Sequence, residues 1–421
     1  MKKYGFINMV VLAVTVTFGS MVLATNGDNL ISVGPISRSM GGVGIAQPQD
    51  AVSSIFANPA TMVNENFSKT TEFDFAGTMF IPRIKGSVET VNGTYEADSA
   101  NSVFSIPAIG LITPVNKEMK NMKFGIAAYG VTGLGVDYRG TALDNPKAYF
   151  NMYPLISGEY TQLQIMKFAP SLAYKINDMV SVGAAVQIDY STLDLRNGSS
   201  PAYGLGGSIG VIIKPIDPVT IGISYITPQP IIYKHIIDFD QDGSLDSLKL
   251  ASPQEIGAGV AYNNQELLNL LIEADVKFIQ WSKAAGYKDF DWNDQWVYAI
   301  GVQVEPVKKL SLRAGYNYSK NPLVNHDGFA GNSSVEVQGN TMPTYYYETF
   351  RILGFPAIVE QHLTFGIGYK FSSIFSANLG YIHAFSKTMN ETGTDISGMQ
   401  PVTLSSTLVE DSIDFGLTWN F

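Results

Sequence analysis

The sequence predicts an all-β membrane protein, a 14-stranded antiparallel transmembrane β-barrel with an N-terminal hatch inside its lumen. Three observations predict this. Apolar and polar side chains alternate with a period of two along most of the chain. The connections between alternating segments switch between short and long. A segment near the N-terminus fits neither pattern.

The alternation is clearest at the C-terminal end. Ile413, Phe415, Leu417, Trp419 and Phe421 are apolar, and Ser412, Asp414, Gly416, Thr418 and Asn420 between them are small or polar. A period of two sends the two sets to opposite faces of a strand. On a membrane barrel the apolar face meets lipid and the polar face a wet interior. The same period recurs in about fourteen segments, an even number within the range of bacterial barrels. They lie near 70–82, 101–113, 121–131, 159–176, 179–194, 202–214, 218–233, 252–263, 268–281, 295–305, 308–319, 359–371, 374–386 and 408–421. Pro107 interrupts the second, and glycine is dense around the third.

Asn177-Asp178, Pro215-Ile216-Asp217, Asn263-Asn264 and Ser372-Ser373 read as tight hairpin turns. Between them lie long connections near 132–158, 234–251, 282–294, 320–358 and 387–407. Short turns on one side and long loops on the other describe an outer-membrane barrel whose long loops lie outside the cell. Trp281, Trp296 and Trp419 fall at expected strand ends, where an aromatic girdle belongs.

Lys2 and Lys3 precede an apolar run, Met9 to Phe18, and then Val22-Leu23-Ala24. This reads as a secretory signal with cleavage after Ala24 and a mature start at Thr25. The run is short for a membrane anchor. The expected organisation is a signal peptide over 1–24, a hatch over 25–69 and the barrel over 70–421. The hatch carries Met40-Gly41-Gly42-Val43-Gly44 and a short helical pattern. Asp50 is a suitable N-cap, with Val52, Ile55 and Phe56 on one face. The helix should stop at Asn58, because Pro59 disfavours helical geometry in the residue before it.

Composition narrows the function. Charged residues make up 15 % of the chain, against about a quarter in ordinary domains. The absence of cysteine excludes disulfides, thiol nucleophiles and thiolate metal sites. A net charge of −10 leaves no basic footprint for nucleic acid. No convincing set of nucleophile, histidine and acid suggests an enzyme, and no cofactor or metal is expected.

Several motifs then carry a resemblance. Ser37-Arg38-Ser39-Met40-Gly41-Gly42 is followed by Ile45-Ala46, Asp50-Ala51 and Asn58-Pro59-Ala60. Ala169-Pro170-Ser171-Leu172-Ala173-Tyr174 runs to Asn177-Asp178, and Leu312-Arg313-Ala314-Gly315-Tyr316 runs to Asn321-Pro322. In order and spacing these resemble the FadL-type outer-membrane transport family, carriers of long-chain fatty acids and aromatic hydrocarbons. The resemblance implies a hatch gate at Asn58, Pro59 and Ala60. It also implies an inward kink in the third strand, where Gly130, Gly133 and Gly135 stand, through which ligand leaves sideways into the membrane. Two loops depart from the family. The connection at Leu195-Arg196-Asn197-Gly198 is short, and that at 320–358 is long.

Other residues have competing readings. Phe56, Phe80, Tyr129 and Tyr138 could line an apolar path, although most aromatics here would face lipid. Glu273, Asp275 and Lys277 share an inward parity, with Arg313 two strands away. Lys277 and Arg313 could hold a ligand carboxylate; the simpler reading is an internal ion-pair network that supports the hatch. Asp238, Asp240, Asp242 and Gly243 open like a calcium loop, but Lys249 stands where the closing carboxylate should be, which favours a solvated loop. His235, His326, His362 and His383 do not converge. Gly204, Gly206, Gly207 and Gly210 miss the dinucleotide spacing.

The expected function is therefore passive transport of hydrophobic small molecules across a bacterial outer membrane. The partners would be the ligand and the membrane's lipid and lipopolysaccharide, with the protein a monomer. A porin for polar solutes, a structural or adhesive surface barrel and a barrel lipase are the alternatives.

Overall fold

The computed structural model describes residues 25–63, 71–116, 119, 121–238 and 243–421. The expected signal peptide lies outside these residues, as do Asp240 and Asp242 of the calcium-like loop and the 64–69 end of the expected hatch.

Fourteen antiparallel strands form a closed barrel. They are β1 (Glu72–Thr90), β2 (Phe104–Pro114), β3 (Met122–Asp137), β4 (Tyr160–Lys175), β5 (Val180–Asp194), β6 (Ser200–Ile216) and β7 (Val219–Ile226). The second half comprises β8 (Glu255–Asn264), β9 (Leu270–Ile279), β10 (Gln295–Val307), β11 (Leu310–Ser319), β12 (Gln361–Lys370), β13 (Phe375–Thr394) and β14 (Pro401–Asn420). Each pairs with its sequence neighbour, and β14 returns to β1 with Trp419 opposite Phe73. Closure removes the free edges that lipid could not hydrogen-bond.

The period-two pattern sorts the side chains as expected. On β14, Ile413 and Phe415 point out, whereas Ser412 and Asp414 are wholly buried. Short turns near 176–179, 217–218, 308–309 and 371–374 gather at one end, beside Thr71 and Phe421. The connections 138–159, 227–254, 280–294 and 320–360 gather at the other. The short-turn end is the periplasmic one in such barrels.

Four sequence expectations need correction. The long connection expected at 387–407 is only 395–400, because β13 runs to Thr394 and β14 begins at Pro401. The segment 218–233 is not one strand. β7 ends at Ile226, and the chain leaves the wall to form an antiparallel ribbon, Gln229–Ile237 with Asp246–Ser252. Pro228 and Pro230 flank that departure and can donate nothing to a wall ladder. The ribbon folds inward, and side chains at Gly204 and Gly206 of β6 would collide with Ile231 and Gln229. Trp281 is not a girdle residue. It is fully buried, donates through Nε1 to Gln295 Oε1 at 2.8 Å, and packs on Tyr287 and Trp292. Trp296 does face outward. Finally, Asn263-Asn264 belongs to β8, and the turn lies at 265–269.

Residues 25–63 lie inside the barrel. They comprise a small hairpin (Thr25–Asn26 with Asn29–Leu30), a helical turn Pro35–Arg38, helix α1 (Ala51–Ala57) and a 3-10 turn Pro59–Val63. Asp50 caps α1, accepting from Ser53 N at 2.7 Å. Asn58 terminates it in extended geometry, φ −160° and ψ 100°. Val52 and Ile55 are buried against the wall.

Candidate transport site

The hatch is seated against wall positions that carry no side chain. A side chain at Gly110 would overlap Val52; at Gly183, Pro59 and Ala60; at Gly210, the Asn58 amide; at Gly222, Ile45; at Gly315, Gly41. These glycines stand on five different strands around the barrel. Four of them let the hatch backbone, and Gly210 lets the Asn58 side chain, approach the wall more closely than any Cβ would permit.

Polar groups then fix the hatch's position. Asn58 Nδ2 donates to Ile45 O at 2.8 Å and to the wall carbonyls of Val211 and Ile223, each at 3.3 Å. Asp275 Oδ2 accepts from Gly44 N and Ile45 N at 2.9 and 3.1 Å. Glu273 Oε1 accepts from Ala46 N and Gln47 N at 2.7 and 3.0 Å. Arg38 pairs with Asp414 at 2.9 Å. The carboxylates of β9 therefore hold hatch backbone, in the region where the sequence suggested a charged network supporting the hatch. Lys277 Nζ likewise donates to Ile31 O at 3.2 Å. Arg313 gives Nε to Gln303 and Nη1 to Asn378, at 2.6 and 2.9 Å. Both candidate carboxylate anchors are thus engaged with hatch or wall.

The wall has a window at β3. The β2–β3 ladder ends at Ala108 opposite Tyr129, and residues 130–137 pair only with β4. The β3–β4 register shifts between Gly130 and Thr132, as at a bulge. Above the break, Ala100 N donates to Asp137 O at 2.8 Å and closes the top of the window. Every residue from Tyr129 to Val136 is buried, without the outward alternation seen elsewhere. The upper half of β3 has moved inward. A side chain at Gly130 would overlap Ile106. One at Gly133 would place its Cβ 3.4 Å from Ile106 Cδ1 and 3.7 Å from Phe104 Cβ. The side chains of Phe104 and Ile106 therefore fill the window. Pro107 stands just beyond the last paired residue, where no β3 partner needs its missing N–H.

Phe56 of α1 meets Tyr129 edge-on, with ring centroids 5.5 Å apart, at the lower rim of this window. Phe80 packs on Phe104 at 5.9 Å. Above lies an apolar chamber lined by Leu193, Leu248, Leu250, Tyr287, Trp292 and Phe350, with about 30 Å³ of free space. One apolar cluster runs from these residues through Leu163, Ile165 and Val131 to Tyr129 and Ile55. On the outer side, a groove of about 250 Å³ is lined by Leu143, Ile156, Tyr346 and Phe350 together with the charged Asp144, Glu159 and Arg196. Phe350 thus separates groove from chamber. It follows helix α2 (Thr344–Thr349) in the long 320–360 connection, which supplies much of the cap. Burial pushes the Asp28 carboxyl up to about 7, against the opposing hydrogen bond from Tyr287. His326, Glu348 and Glu391 approach one another in the cap. The Arg351 guanidinium bonds to all three, so it occupies the position a cation would take.

Asn58, Pro59 and Ala60 thus meet the wall glycines, and Gly130, Gly133 and Phe56 meet at the window with Tyr129. Gly135 lies against the Thr161 backbone of β4 instead. Phe104, Ile106 and Phe350 were missed in the sequence. Only Pro107, a proline in a strand, signalled a wall break there.

Residues 29–224 match the family model described as outer membrane protein transport protein (OMPP1/FadL/TodX). Over this segment, slightly less than half of its length, the chain is similar to that family. Similar solved structures extend the fold across the chain. The Pseudomonas putida toluene transporter TodX is 17% identical, with a TM-score of 0.64, covering 93% of this chain and 99% of its own. A Pseudomonas aeruginosa FadL homologue is 15% identical, with a TM-score of 0.66, covering 96% and 100%. The Ralstonia pickettii toluene transporter TbuX is 15% identical, with a TM-score of 0.63, covering 93% and 98%. No curated protein matches the chain in sequence. The family is one of outer-membrane channels, not an enzyme class.

Proposed function

We propose that this protein carries hydrophobic small molecules, long-chain fatty acids or aromatic hydrocarbons, passively across the outer membrane. The observation that supports this most is the continuous apolar cluster from the cap to the window. A solute would enter the groove by Phe350, pass into the chamber, and move along Tyr129 and Phe56 to the gap between β2 and β3. It would leave there sideways into the bilayer. The seated hatch at Asn58-Pro59-Ala60 would keep the axial route shut to polar solutes, while displacement of Ile106 and Phe104 would open the lateral one. Apolar transfer out of water supplies the affinity, at about 25 cal/mol per Å² buried, and the concentration gradient supplies the direction.

The reading is tested by deleting the gene and following uptake of an oleate-like and a toluene-like probe. Slower uptake of either, restored by the intact protein, is expected. Unchanged uptake of both would contradict it. A large steady ionic current in planar bilayers would favour a porin instead.

A further inference from the structure

The first described residue, Thr25, touches a buried carboxyl group on the closing strand that has no ion pair of its own. Glu410 on β14 is wholly buried, and its two carboxylate oxygens accept from Thr25 Oγ1 at 3.0 and 3.3 Å. Thr25 is itself 3% exposed. The nearby guanidinium of Arg38 is committed elsewhere, with Nε to Asp414, Nη2 to Ser412 and Nη1 to Ser32 O. Two buried carboxylates, Glu410 and Asp414, thus share one neighbouring cation. A buried carboxylate without an ionic partner costs several kcal/mol.

The sequence places a signal-peptidase site, Val22-Leu23-Ala24, immediately before Thr25. Hydrolysis of the Ala24–Thr25 bond consumes one water. The carboxylate leaves with the signal, and Thr25 keeps an amine that is protonated at neutral pH. In threonine only three bonds separate that nitrogen from Oγ1, which already touches Glu410.

We propose that processing after Ala24 creates a binding group inside the barrel, the Thr25 α-ammonium, whose ion pair with Glu410 locks the hatch to the closing strand β14. The rest of the hairpin is ready for this. Asn26 Oδ1 accepts from Ser319 Oγ at 3.0 Å, Asn29 Oδ1 from Thr132 Oγ1 at 3.3 Å, and Gly27 rests on Trp281 and Trp292. Removal of the signal thereby completes the hatch, and the inference holds whatever the cargo.

The test uses the full chain, exported and purified from outer membranes. N-terminal sequencing should return Thr25 first; another first residue overturns the proposal. The folded protein is then treated with an amine-reactive reagent at neutral pH, and labelling of the N-terminal peptide is followed by mass spectrometry. Labelling should be about tenfold faster in Glu410→Gln than in the unaltered protein; equal rates overturn the ion pair. One alanine inserted between Ala24 and Thr25 displaces the ammonium but keeps every side chain. It should raise ionic leak in planar bilayers as much as Glu410→Gln does, and the two changes together should add nothing further. If the insertion has no effect while Glu410→Gln does, Glu410 needs only the hydroxyl, and the proposal fails.

Discussion

The two halves of β3 are one continuous strand, yet they stand in opposite relations to their surroundings. Met122–Tyr129 is paired on both sides, whereas residues 130–137 are paired only with β4. The lower half holds one glycine and the upper half three, and the glycines serve different ends. Gly125, in the lower half, leaves room for Ile55 and Met62 of the hatch. Gly130 and Gly133, in the upper half, leave room for Ile106 of the wall itself. The lower half belongs to the hatch's seat and the upper half to the edge of the window. The comparison teaches that the break in the wall is marked by the loss of ladder bonds to β2 together with a rise in glycine.

The comparison can be broken most strongly from below. Gly210→Leu would drive a side chain into the Asn58 amide. Overpacking there should cost about 3 kcal/mol and unseat the hatch, seen as a lower Tm and a raised bilayer conductance. Asn58→Ala removes the donor shared by Ile45, Val211 and Ile223. A loss of about 2 kcal/mol is expected, in the range for stranding buried acceptors, with a smaller rise in conductance. The upper half should respond in the opposite sense. Gly133→Leu meets its nearest atom only at 3.4 Å, so stability should change by less than about 1 kcal/mol. Uptake of an apolar probe should nevertheless fall about tenfold, measured in whole cells. The smallest effect belongs to Arg313→Gln. Its Nε and Nη1 serve Gln303 and Asn378, so fatty-acid uptake should change less than twofold. A larger loss specific to carboxylate probes would restore Arg313 as a ligand anchor.

Much of the barrel was legible because a closed sheet in lipid imposes a period of two and leaves few alternatives. The Asp50 cap and the stop at Asn58 were legible because both are local geometry. The site was legible only where a motif named it. Trp281 was read as a girdle residue because its position at a strand end looks the same whether the ring turns outward or inward. The inward ribbon after Ile226 was hidden because its alternation continues that of the wall strand before it. Phe104 and Ile106 gave no signal of their own. Their role depends on β3 moving away, and β3 can do so because Pro107 stands where the ladder to β2 has ended.

The central claim is that the solute crosses the wall between β2 and β3. The separation of 3.7 Å between Phe104 Cβ and a Cβ built at Gly133 is close to that of a natural disulfide, about 3.8 Å. The chain has no cysteine of its own, so the double variant Phe104→Cys/Gly133→Cys can be closed with oxidant and reopened with reductant in the same cells. Uptake of a toluene-like or oleate-like probe should be lost on oxidation and return on reduction, with each single variant indifferent to both treatments. Equal uptake by the oxidised and reduced double variant, with the disulfide verified by mass spectrometry, would contradict the lateral route.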